Sequence, residues 1–208
     1  MKLIEDNITQ TLDEIYLVET LNLDNKTILE LGCGNASMTK EIAQNGSNRK
    51  IIACEVDEVQ HRKNLLLNIP NIEFKLNGAE DIDVEDESID AIFMFKSFHH
   101  IPYDLMKKAL KEIKRVLKPN GLLIILETSV PTKFPYKQGY QFHSKILLPI
   151  IGKLFSKDKV AYNYLSESAS IFPYGTKLNN ILQNIGFINV KNKPQTFGVA
   201  TIYTATKL

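Results

Sequence analysis

Residues 27–37, TILELGCGNAS, restrict the fold more than any other stretch of the chain. Ile28, Leu29 and Leu31 make a short apolar strand, Gly32, Cys33 and Gly34 impose a tight turn, and Met38, Ile42 and Ala43 line the helix that follows. Asn35 or Ser37 is the expected cap of that helix. Glycine removes the Cβ, so backbone can pass against a ligand, and free N–H groups at a helix start favour an anionic group there.

The next strand sharpens the picture. KIIACE, residues 50–55, reads as a buried parallel strand that ends on a carboxylate, and Glu55 follows Gly34 by 21 positions. That interval matches the acidic residue that accepts from ribose hydroxyls at the end of the second strand of a nucleotide-binding α/β unit. A carboxylate there would repel a 2′-phosphate, which disfavours an NADP-type ligand. The third position of a G-x-G-x-x-G motif is Ser37, so the dinucleotide fingerprint is incomplete. Glu30, just before the turn, would repel a pyrophosphate. Beside the methionine moiety of S-adenosylmethionine (SAM) it can instead accept from the ammonium or organise the loop that does.

With 208 residues, 44% hydrophobic and 24% charged, the chain suits one α/β domain over residues 1–208. A net charge of +1 gives no global attraction to nucleic acid. The two cysteines, Cys33 and Cys54, lack metal-ligand spacing, are expected at the ends of neighbouring strands and suit a reduced, cytoplasmic setting. MKLIEDNITQ mixes charge and polarity too early for a signal peptide, and no run reaches the roughly 20 apolar residues that span a bilayer.

The remaining segments alternate as a doubly wound sheet requires. Ile8, Leu12, Ile15 and Tyr16 predict an amphipathic helix over 8–22; a second helix covers 57–68 and breaks at Pro70 and Asn71 before a third strand at 72–76. The Gly78-Ala79-Glu80 turn after it suits a flat adenine read by backbone groups, while Asp83, Glu85, Asp86 and Glu87 read as solvated surface. IDAIFMF, residues 89–95, is the fourth strand, and Lys96, His99 and His100 leave its carboxyl end, where ligands sit in open α/β sheets. A helix follows with Leu105, Ala109, Leu110, Ile113, Val116 and Leu117 on its apolar side and is expected to end at KPNG, residues 118–121, before a fifth strand over 122–127. A last helix over 177–185 closes at Gly186 and leads to strands at 187–190 and 197–205, expected as an antiparallel hairpin joined around Pro194. The result is a seven-stranded, mostly parallel α/β sheet with its last strand reversed.

Residues 131–165 break the alternation. This helical insertion mixes Phe134, Tyr136, Tyr140 and Phe142 with Lys133, Lys137, Lys145 and Lys153. Two readings stand: a lid packed on its own domain with a solvated lysine face, or a lid that also rests on anionic lipid as a peripheral contact.

The ordered set ELGCGNAS, Glu55, NGAEDIDVEDESIDAIF and LKEIKRVLKPNGLLIILE, with an antiparallel C-terminal pair, resembles the class I SAM-dependent methyltransferases over roughly residues 25–130. The second half, LLPIIGKLFSKDKVAYNYLSESASIFP followed by TFGVATIYTATK, resembles the ubiquinone/menaquinone biosynthesis C-methyltransferases, whose members methylate a polyprenylated quinol ring. Where that family has a Gly-Leu-Arg-Asn-type sequence after the fourth strand, this chain has His99 and His100.

The resemblance implies SAM as methyl donor, S-adenosylhomocysteine as product and a small, lipid-soluble acceptor. Its cofactor contacts would be Glu30, Gly32, Cys33, Gly34, Glu55, Val56, Gly78, Ala79, Glu80, Phe95 and Lys96, with no metal. Methylating a phenolic ring carbon needs a base for the hydroxyl proton, and His99 or His100 is the candidate. Tyr140, Tyr162 and Tyr164 are candidates for closing over the acceptor. Rival readings are methyl transfer to O or N of another soluble small molecule, a SAM-binding protein without catalysis, and a nicotinamide-dependent oxidoreductase. Nucleic-acid methylation lacks both a basic face outside the insertion and an Asn-Pro-Pro-Tyr-type motif.

Overall fold

Residues 21–143, 146 and 172–208 are described by the computed structural model. The helix expected over 8–22, Tyr162, Tyr164 and most of the 131–165 insertion lie outside the described residues.

Seven strands form one sheet: β1 (Thr27–Leu31), β2 (Lys50–Glu55), β3 (Ile72–Leu76), β4 (Ile89–Phe95), β5 (Leu117–Thr128), β6 (Phe187–Gln195) and β7 (Ala200–Lys207), in the order β3-β2-β1-β4-β5-β7-β6. The pairs among β1 to β5 are parallel, whereas β7 runs antiparallel to both β5 and β6. One reversed strand, β7, is what the sequence predicts. The α-helices among the described residues are α1 (Ser37–Gln44), α2 (Glu58–Leu65), α3 (Met106–Val116), α4 (Tyr136–Phe142) and α5 (Thr176–Ile185).

Both faces of the sheet are covered, so its strands read as continuous apolar runs, and the strand period of two sorts their side chains into two cores. Ile28, Ile51, Ala91, Phe93 and Ile124 pack with Met38, Ile42 and Ala43 of α1 on one side. Leu29, Leu31, Ile52, Ile92, Met94 and Ile125 pack on the other with Leu110, Ile113 and Val116 of α3 and Leu178 and Leu182 of α5. Each of the Leu, Ile, Phe and Met side chains among them, once fully buried, contributes roughly 1.5–3 kcal/mol.

Four local expectations are corrected. Helix α1 is capped by Ala36, in left-handed conformation at φ 60°, and not by a side chain. Asn35 instead braces the turn, its Oδ1 accepting from the Ser37 N–H at 3.1 Å and the Ser37 hydroxyl at 2.7 Å. Helix α2 stops at Leu65, short of Asn68, and Asp57 caps it by accepting from the Gln60 N–H. KPNG does not separate α3 from its strand: Leu117 already pairs with Ile89 and Leu122 pairs with Ala91, so residues 118–121 bulge out of a continuous β5, with Asn120 at φ 64°. Pro194 lies within β6, opposite Thr201, and the turn is at Thr196–Gly198. β6 is an edge strand, where a residue without N–H breaks no ladder.

Candidate functional site

Strand order reverses between β1 and β4, and the carboxyl ends of β1, β2 and β4 together with the loop after β3 enclose a cavity of about 800 Å³. That is the crevice in which open α/β sheets bind ligands, and its volume lies within the roughly 300–1,000 Å³ range of small-molecule pockets. Every predicted cofactor contact lines it: Glu30, Gly32, Cys33 and Gly34 from the first turn, Glu55 and Val56 after β2, Gly78, Ala79 and Glu80 after β3, and Phe95 and Lys96 after β4.

The glycine turn is braced on β2. The Gly32 and Cys33 N–H groups both donate to the Cys54 carbonyl at 2.9 Å, Gly34 N–H donates to Glu55 Oε2 at 2.8 Å, and Ala36 N–H donates to the Cys33 carbonyl at 2.9 Å. With Ser37 N–H on Asn35, these five donors are satisfied inside the protein, so the expectation of free N–H groups for an anion fails at these positions. Gly32, at φ 76°, is required for a second reason: a Cβ there would fall 2.5 Å from Ser97 Cβ. Ser97 is itself pinned by its hydroxyl to the Leu31 carbonyl at 2.6 Å, which locks the β1 and β4 ends together.

Glu55 is nearly buried at 8% exposure, and besides Gly34 it accepts from the Val56 and Asp57 N–H groups at 2.8 and 2.9 Å. Three of about four lone-pair sites on the carboxylate are thereby used, so a diol entering the cavity must share or replace one of these bonds. Glu30, 3% exposed, accepts from the Thr39 hydroxyl at 2.6 Å, which ties β1 to α1. Val56 stands 68% exposed at the cavity, an apolar surface that a flat ring could cover. Lys96 holds φ 56°, an uncommon backbone state for a side-chain-bearing residue, and its N–H donates to the Leu126 carbonyl at 2.7 Å.

The two cysteines do sit at the ends of neighbouring strands, as free thiols. Burial pushes both thiols up, Cys54 to about 12 and Cys33 further, so neither supplies a thiolate near neutral pH.

After β4, the 3-10 turn Phe98–His100 presents the two histidines differently. His100 lines the cavity. His99 turns toward β5, where its Nδ1 lies 2.7 Å from Glu127 Oε2. Glu127 Oε1 accepts from the Phe98 and His99 N–H groups at 2.7 and 3.2 Å, and the carboxylate is fully buried. The hydrogen bond to Glu127 raises the His99 pKa above the ordinary value, against the opposing effect of burial. Burial lowers that of His100, and the neighbouring His99, with ring centroids 4.0 Å apart, lowers it further.

Sequence reading missed Ser97, Asn64 and Glu127. Asn64, 1% exposed, donates to the Gly34 carbonyl at 2.7 Å and holds the turn from α2. Its signal was a polar residue on a short helix, indistinguishable from a solvated one. Glu127 carried a readable signal, an acid closing an apolar strand as Glu55 does.

The cavity suits an adenosine-based cationic donor. Among the described residues three carboxylates, Glu30, Glu55 and Glu80, line it against one ammonium, Lys96, while Val56, Ala79, Met94 and Phe95 supply apolar surface. Among the described residues no group of histidine, cysteine or acidic side chains could hold a metal ion.

Residues 13–207 match the ubiE/COQ5 methyltransferase family. The chain is 40% identical to a demethylmenaquinone methyltransferase of Bacteroides fragilis over 136 residues, 65% of this chain and 55% of that protein. It therefore spans about half the length of that relative. It is 35% identical to the demethylmenaquinone methyltransferase of Bacillus cereus over 184 residues, 86% of this chain and 77% of that protein. Among solved structures, a SAM dependent methyltransferase from Aquifex aeolicus aligns at 20% identity with a TM-score of 0.66, covering 94% of this chain and 90% of that one, a likeness of fold.

Proposed function

The chain belongs to the ubiE/COQ5 methyltransferase family, and from that we propose that it moves a methyl group from SAM to a ring carbon of a prenylated quinol, releasing S-adenosylhomocysteine. The observation that carries this reading is the cavity at the strand switch point, where acidic and apolar groups converge beside a histidine pair. The names of the Bacteroides and Bacillus relatives support a quinone-type acceptor.

In this reading Glu55 accepts from the ribose hydroxyls, Val56 and the Gly78–Glu80 loop flank the adenine, and Glu30 with residues 32–34 orders the amino-acid end. Phe95 and Lys96 form the wall toward the acceptor. When bound, the donor supplies an electrophilic methyl whose bonding pair passes to sulfur as the new carbon–carbon bond forms. The protein's work is orientation, holding the ring carbon at about 3–3.5 Å from the methyl, and exclusion of water. One of the histidines takes the acceptor's hydroxyl proton, which sends electron density to the ring carbon; the ring proton then leaves and aromaticity returns. Of the two, His100 is the one that lines the cavity.

Residues 131–165 act as the lid over the acceptor in the same proposal. Phe134, Phe142 and Ile146 stand exposed, and the same stretch carries Lys133 and Lys137, a composition suited to anionic lipid. Among the described residues no helix is long and apolar enough to cross a membrane. Co-sedimentation with vesicles should rise with anionic lipid content, and indifference to it would remove the lipid contact.

The deciding experiment incubates the protein with SAM and a short-chain demethylated naphthoquinol and reads the mass. A product heavier by one CH₂ on a ring carbon supports the proposal. Quinol recovered unchanged, with soluble phenols or amines methylated instead, would replace it with O- or N-methyl transfer.

A further inference from the structure

The buried carboxylate of Glu127 at the end of β5 does not line the cavity, and among the described residues every hydrogen bond its oxygens make goes to the turn that carries the histidines. Glu127 Oε1 accepts from two successive N–H groups, of Phe98 and His99, and Oε2 takes the His99 ring. Glu127 is fully buried and His99 partly so, while His100, its ring tilted 40° to that of His99 with centroids 4.0 Å apart, lines the cavity. We infer that Glu127 is a positioning residue for proton transfer: it clamps the 98–100 turn and holds His99 as an imidazolium, so that His100 faces the acceptor as the neutral base. The inference rests on the proposed methyl transfer and assigns the base within it.

The electrostatics agree with the geometry. A carboxylate without solvent beside Nδ1 favours the doubly protonated His99, and that cation 4.0 Å from the His100 ring disfavours a second charge. Two like groups whose surroundings push their proton affinities apart are how an acid and a base are made from one residue type. Glu127 itself and Glu55 at the end of β2 favour His100 protonation, each more weakly than His99 opposes it, so the net effect of the Glu127–His99 pair is downward; Glu30, Glu80 and Lys96 lie around the same cavity. On the far side of Glu127, β7 contributes Tyr203, whose pKa burial raises, and Thr201, paired with Glu127 in the sheet.

The test is a histidine NMR titration of the full chain, with and without Glu127→Gln, followed by the pH profile of kcat. The Gln oxygen can keep both backbone N–H bonds, so the turn persists while the charge is lost. In wild type, His99 should titrate above the ordinary histidine value and His100 below it. In Glu127→Gln, His99 should fall to the ordinary histidine value or below it and His100 should rise as the cation beside it is lost, and the acid limb of kcat should move up with it while the SAM dissociation constant is unchanged. His99→Asn tests the same link from the other side, and there too His100 should titrate higher. Histidine titrations unmoved by either variant would overturn the inference, whatever the turnover. Wild-type titrations as expected but no quinol methylation would instead reject the methyl-transfer reading and leave the Glu127–His99 pair standing.

Discussion

Gly32 and Gly34 look alike in the sequence, and the structure separates them. Both have positive φ, but a Cβ at Gly32 collides with Ser97 whereas one at Gly34 meets nothing within 4 Å. Gly32→Ala is expected to cost about 1–3 kcal/mol and to push the β1 and β4 ends apart, weakening donor binding tenfold or more. Gly34→Asn, which tolerates left-handed backbone, should cost under about 1 kcal/mol. Urea unfolding with parallel SAM titration checks both, and equal losses would show that Ser97 is not the obstacle. Asn64 and Ser97, which the sequence hid, act on partners 30 and 66 positions away, and no local pattern reports contacts of that range. Glu55 was legible because its spacing from the glycine turn is set by one βα unit.

At the scale of elements, strands β1 to β5 were legible because burial on both faces writes unbroken apolar runs. What escaped was the junction after α3, where KPNG reads as a helix stop and a loop. Lys118 instead donates to Asp90 at 2.9 Å, and Lys207 reaches the Leu117 carbonyl at 2.7 Å, so the bulge is held from both neighbouring strands. The hairpin, packed on α5 through Leu178, Leu182, Phe187 and Tyr203, is also tied to the start of that helix by the Gly175 N–H, which donates at 2.6 Å to the hydroxyl of fully buried Tyr203. Tyr203→Phe leaves that donor unsatisfied and should lower stability by about 1–3 kcal/mol. SAM affinity should hold, since Tyr203 does not line the donor cavity. Calorimetric melting and titration of one sample read both, and a stability equal to wild type would show that the hydroxyl contributes nothing to the α5 start.

For the whole molecule, acid is the expected route to unfolding. Burial alone would raise the Asp90 pKa, but the Thr27 N–H, Lys118 and Lys26 outweigh it and hold the carboxyl below its usual value. The Arg115 hydrogen bond does the same for Glu112. Carboxylates depressed by folding stabilise above their unfolded pKa, and that contribution is lost as pH falls through the folded values. Urea midpoints should therefore hold at mildly acidic pH and drop below about pH 4, less steeply in Asp90→Asn. An unchanged slope in the variant would remove Asp90 from that explanation. Function at this scale reduces to whether the crevice at the strand reversal grips an adenosine-based donor through residues 32–34 and Glu55. Isothermal titration of S-adenosylhomocysteine into the protein asks this most directly. Saturable binding at one molecule per chain, weakened at least tenfold by Glu55→Ala, is the expected result; no binding heat at any temperature, or affinity indifferent to Glu55, would contradict it.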